Sequence, residues 1–132
     1  HLEHAALEFT EEDGKVVPTG EPVPRWWFTS RIPPLEEAVF DALTVEEVNR
    51  SMLLAPDAFG TQPPTDGAFY FSEGVPIVQF LEAPFYLFDE MDTMDKIDRE
   101  HLVPITRAVI RIIDSTAGVS AQQMRDGQVP EG

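Results

Sequence analysis

The chain has 132 residues, of which 24 are Asp or Glu and 9 are Lys or Arg, giving a formal net charge of −15. A field of that sign gathers cations and basic surfaces and repels nucleic acid and anionic lipid, which argues against direct binding to DNA, RNA or an acidic membrane. With 42% hydrophobic residues and nine Phe, the composition lies outside the regime in which charge keeps a chain disordered, and one folded domain over 1–132, loose at 1–5 and 128–132, is expected.

In chain order, Leu7 and Phe9 precede Glu12-Asp13-Gly14-Lys15, and Val16-Val17 follow it. That pattern predicts a hairpin turning at Asp-Gly, where glycine accepts positive φ. Pro18 to Pro24, with Gly20 among the prolines, opposes regular ladder pairing. The run Arg25-Trp26-Trp27-Phe28-Thr29 then reads as a short strand or extended edge segment. On a strand its two Trp must point to opposite faces.

Pro33-Pro34 ends that segment and suits the first turn of a helix. Leu35, Ala38, Val39, Ala42 and Leu43 recur at helical spacing, with Glu36 and Glu37 in the first turn. Thr44-Val45-Glu46-Glu47 has the form of a capping box, predicting a second helix from Val45 to about Leu54. A long Pro-rich loop covers Ala55 to Asp66. Two strands, Ala68–Ser72 and Ile77–Leu81, are expected next, and Phe69, Phe71, Ile77, Phe80, Phe85, Leu87 and Phe88 read as the richest part of the core.

An acidic connector follows, Asp89 to Glu100, in which Asp98 can cap a last helix over Val103–Ser115 with Pro104 in its first turn. Ile105, Ala108, Val109, Ile112 and Ile113 form its inner stripe, and the tail thins after Gly118. Together these elements predict a small α+β domain, a mostly antiparallel sheet with about three helices packed on one face. No basic-then-apolar leader opens the chain and its longest apolar stretch, Val75 to Phe88, is interrupted, so a soluble protein is expected, cytoplasmic by default.

No motif names a reaction. There is no cysteine, hence no disulfide, thiolate ligand or thiol nucleophile. The run from Asp89 to Asp98 fails the calcium-loop pattern, because counting from Asp89 or Asp92 puts Met at position three and no Gly follows. His101 has only Asp98, Glu100 and Thr106 as near neighbours in sequence, and no carboxylate pair is marked by a motif. No catalytic, metal-binding or cofactor-binding residue is assigned. Two constellations remain as partner-binding candidates. Arg25, Trp26, Trp27 and Arg31 combine the residue types that dominate interface energetics, and Asp89, Asp92 and Asp95 would share one face if their segment were helical, a row able to imitate phosphates. The function expected is therefore a non-enzymatic acidic interaction protein, such as an inhibitor, assembly factor or accessory subunit, that engages a basic protein partner, nucleic-acid-binding proteins being among the candidates. Alternatives are a structural subunit of a larger particle, viral ones included, and a small-ligand enzyme or binding module with a Phe-lined pocket. Adaptation to high salt would also explain the acidity.

Overall fold

The computed structural model describes residues 1–127; the tail 128–132, expected to be loose, lies outside them. The protein is an α+β fold, with two sheets and four α-helices among the described residues. A hairpin of β2 (Leu7–Glu12) and β3 (Lys15–Pro22) forms one sheet. The other has four strands in the order β1 (Leu2–Glu3), β6 (Val78–Leu81), β4 (Arg25–Thr29), β5 (Ser51–Leu54). It is mixed: β1 and β6 are parallel, β4 and β5 are parallel, and β4 and β6 are antiparallel. The helices are α1 (Pro33–Val45), α2 (Asp66–Ser72), α3 (Leu102–Thr116) and α4 (Ala121–Asp126).

Local chemistry explains the hairpin: Asp13 and Gly14 both sit at positive φ, 51° and 73°, the turn whose twist matches paired strands. Its second strand runs further than the prolines suggest. Pro18 pairs with Phe9 and Pro22 with Leu7 across a bulge, which a two-stranded ribbon tolerates because a proline can turn its missing N–H outward. The segment 1–5, expected to be loose, is tied down by β1, whose Leu2 and Glu3 register with Phe80 and Leu81. Asp98 N–H also donates to the Ala5 carbonyl at 2.9 Å.

The aromatic run is central in the sheet, with β5 on one side and β6 on the other, so it is a strand but no edge. After α1 the chain does not enter a second helix. Thr44 Oγ1 donates back to the Phe40 carbonyl at 2.9 Å instead of capping, and Glu47 and Arg50 at φ 53° and 56° break the helical path. Residues 51–54 then pair with β4, a tertiary contact that outweighs helical propensity. The segment expected as a strand over 68–72 is α2, which crosses β6 closely: a Cβ on Gly67 would fall 1.9 Å from Gln79 Oε1. The capping box belongs to α4, where Ser120 and Gln123 exchange side-chain and backbone bonds.

The main core lies between the sheet and helices α1 and α3, around Trp27, Ile32, Val39, Ala42, Phe80, Ile105, Ala108 and Ile112. Trp27 and Phe80 rings stack at 4.8 Å, and Trp27 Nε1 donates to Ser51 Oγ at 3.1 Å. A smaller cluster of Ala6, Val23 and Tyr86 joins the hairpin to the body. Of the Phe-rich stretch expected to dominate the core, Phe80 does so; Phe69, Phe85 and Phe88 are exposed. Ile113, placed on the inner stripe of α3 by spacing, is also exposed, because the buried face is the narrower set Ile105, Ala108 and Ile112. Among the described residues no helix is long and apolar enough to cross a membrane.

Candidate functional site

Strand β4 divides the molecule's functional chemistry between its two faces. Alternation sends Arg25, Trp27 and Thr29 to the helix side and Trp26 and Phe28 to the other. On the helix side, Arg25 is completely buried. Its Nη2 donates to Asp98 Oδ2 at 2.6 Å and its Nη1 to the Asn49 carbonyl at 2.5 Å. Glu82, opposite Arg25 in the β4–β6 pairing and equally buried, brings Oε1 to 3.1 Å from Nε. The N–H there is not aimed at the oxygen, so the two form an ion pair without a hydrogen bond. Glu82 Oε2 instead accepts the backbone N–H of Ala6. Asp98 accepts from the other direction as well: His101 Nδ1 lies 2.8 Å from Oδ2 and 2.9 Å from Oδ1. The result is a buried chain, Glu82–Arg25–Asp98–His101, that grips the N-terminal segment through Ala5 and Ala6.

Burial raises the Glu82 carboxyl from its ordinary 4.5 to about 7; the Ala6 N–H and the Arg25 charge oppose the rise without cancelling it. A folded-state value above the unfolded one means that, between those two values, the folded protein holds a proton the unfolded chain has lost. The associated stability is complete below the unfolded value and drains away as pH rises through about 7. Acidification from pH 8 to pH 6 should therefore stabilise the fold, by about 1 kcal/mol, or a few degrees in Tm. Thermal melts of the wild type and of Glu82→Gln check this: the wild-type curve should climb and the variant's should flatten, and parallel curves would assign the effect to other groups.

On the opposite face lies an apolar groove of about 380 Å³. Its floor is a triad of rings in edge contact, Trp26–Phe28 at 6.2 Å, Trp26–Phe59 at 5.4 Å and Phe28–Phe59 at 5.9 Å. The Pro-rich loop supplies Phe59, Gln62, Pro63, Pro64 and Thr65; β6 and its continuation supply Leu81 and Ala83; Glu3, His4, Leu87 and Phe88 complete the walls. Phe88 is 93% exposed. Both His4 and Phe88 sit at positive φ, 56° and 66°, a conformation that disfavours a side chain by about 1 kcal/mol each and clusters where structure is held for a purpose.

The residues singled out by sequence fall in different places. Trp26 is half-buried and lines the groove. Trp27 is core and Arg25 is sealed in the charge chain, so neither can meet a partner, as the sequence had suggested for both: the first is claimed by the helix layer and the second by two distant carboxylates. Arg31 is exposed just beyond β4. Asp89, Asp92 and Asp95 are exposed but do not form a helical row. Residues 89–92 make a turn, Thr93 is extended, and Asp95 lies in the single 3₁₀ turn Met94–Lys96. The cation over aromatic rings is Lys96, 5.0 Å from the Phe9 centroid and 5.7 Å from that of Tyr86. Phe59 and Gln62 were missed, their one signal being the long Pro-rich loop that carries them, a place where binding residues gather; Phe88, read as core, stands exposed at the groove wall instead. Among the described residues, no three His, Asp or Glu side chains gather as metal ligands. No known family, curated protein or solved structure matches this chain.

Proposed function

We propose that this protein is a non-enzymatic interaction protein that captures a basic protein partner through its acidic surface. The observation that carries the reading is the net charge of −15 on a fold whose carboxylates face solvent on the hairpin, on each of the four described helices and in the connectors, among them Glu11 and Glu12 on the hairpin, Glu37 and Asp41 on α1, and Asp89, Asp92 and Asp95 beyond β6. Several of its cations are already engaged within the molecule: Arg25 is buried, Arg50 lies 3.2 Å from Glu8, Lys96 lies 3.4 Å from Asp95, and Arg111 is bonded to Glu46. They do little to blunt the outward field. The titratable groups that do converge, Glu82, Arg25, Asp98 and His101, hold one another and the N-terminal backbone, which is a structural task.

Such a field acts chiefly on encounter. Raising salt from 50 to 500 mM shortens the screening length roughly threefold, and the association rate with a basic partner should fall about tenfold or more while the dissociation rate changes little. Stopped-flow or surface-binding kinetics on a partner recovered from the native host make the measurement. An association rate indifferent to salt rules the reading out.

A further inference from the structure

We infer that the Trp26–Phe28–Phe59 groove seats an extended segment of that basic partner, one in which an apolar or aromatic side chain is flanked by Lys or Arg. The inference rests on the proposed function and adds to it an anchor site and a peptide chemistry. Three observations converge on this occupant. Trp26, Phe59 and Phe88 offer apolar surface in a concave setting over the buried Phe28 ring, suited to a hydrophobic side chain.

Polar groups beside it are left with unmet bonding capacity. Gln62 lines the groove, and its buried Oε1 has no hydrogen-bond partner. Gln79 stands opposite Phe28 in the β4–β6 register, on the same sheet face, and is 1% exposed. Its Oε1 accepts from Thr65 at 2.9 Å, while its Nε2 has no partner. Gln79 does not line the groove, so the group an entering peptide can reach is the Gln62 acceptor, which suits a backbone N–H.

The charge around the groove decides what flanks the anchor. Glu3 lies in the wall, and the exposed Asp57, Asp66 and Asp89 lie within two residues of the lining residues Phe59, Thr65 and Phe88. A segment entering here meets a wall and flanking loops that carry carboxylates, so acidic flanks are repelled and basic ones drawn in.

The test uses three fluorescently labelled peptides and the purified protein: Lys-Arg-Phe-Arg-Lys, the same peptide with Gly for Phe, and Glu-Glu-Phe-Glu-Glu. Binding is read by anisotropy at two salt concentrations, against the wild type and the variants Phe59→Ala, Phe88→Ala and Gln62→Leu, with circular dichroism confirming that each is folded. The two Phe positions are solvent-exposed, so their truncation leaves the core intact. We expect the basic Phe peptide to bind at least tenfold tighter than its Gly counterpart, Phe59→Ala and Phe88→Ala to erase that margin, and Gln62→Leu to reduce it severalfold. Equal binding of the two basic peptides, unchanged by the variants, overturns the groove as the seat and leaves the acidic-surface reading standing. Equal binding of the acidic Phe peptide overturns the requirement for basic flanks. No salt-sensitive binding of either basic peptide overturns the acidic-surface reading and this inference with it.

Discussion

Arg25→Met should cost about 3–5 kcal/mol of folding stability, a large share of what a domain of this size possesses. The volume lost is small; the penalty is electrostatic. Arg25 is the cation between Asp98 and Glu82, both buried, and its removal leaves two carboxylates without their countercharge and Asp98 and the Asn49 carbonyl without its N–H donors. One acid can escape by taking up a proton, which Glu82 is already disposed to do near neutrality. Asp98 then keeps only His101 against its oxygens. The triple variant Arg25→Met, Glu82→Gln, Asp98→Asn should recover much of the loss, since replacing a whole buried ionic set is far milder than breaking it. Urea denaturation of the single and triple variants decides the matter: a single-variant loss below about 1 kcal/mol would mean that water enters and solvates the acids, and that the chain of charges is not sealed.

Trp27→Ala should be comparably severe, about 3–5 kcal/mol, while Trp26→Ala should cost about 1–2 kcal/mol and leave the fold intact. The two residues are adjacent and chemically identical, so the difference isolates position. Trp27 is fully buried against Phe80 and the helix layer, and its truncation opens a cavity that the surrounding Ile32, Val39 and Ile112 cannot close. It also deprives Ser51 Oγ of its donor. Trp26 touches Phe28 and Phe59 in a groove already open to solvent. Thermal melts of the pair check the contrast, and equal destabilisation would move the groove floor into the core and out of consideration as a binding surface.

How far the fold can be read from the chain depends on how local its causes are. Asp13-Gly14 carries its own turn chemistry, and the stripe from Leu35 to Leu43 behind two prolines carries its own helix. These were legible. The stretch Thr44 to Leu54 was not, because its apparent capping box competes with a partner strand lying far back in the sequence, and the partner wins. In α2 the Phe-Tyr-Phe run has the composition of a strand, yet two of its rings, Phe69 and Tyr70, point to solvent; propensity alone could not anticipate a helix stabilised by so little burial. The site divides the same way. Opposite faces for Trp26 and Trp27 follow from the pleat. The burial of Arg25 does not, since its carboxylate partner Asp98 is 73 residues away in sequence, and Phe59 and Phe88 come to one groove from loops with no periodicity to betray them.

The N-terminal strand has a consequence for how the chain is made. Residues 1–6 are synthesised well before the groups that hold them, Val78, Phe80, Glu82 and Asp98, the Ala6 amide and its Glu82 acceptor being 76 positions apart. At a translation speed of about 5–20 residues per second, the stretch from Thr29 to Glu82 is an interval of roughly 3–11 s in which strand β4 is already synthesised and the place beside β6 is not complete. During that interval the hairpin can close on its own local turn, whereas the parallel strand, the charge chain and one wall of the groove must all wait for the same late segment. The fold around β1 is thus closed in a single long-range event, and a nascent chain stalled before residue 78 would present the aromatic face of β4 without β6 beside it.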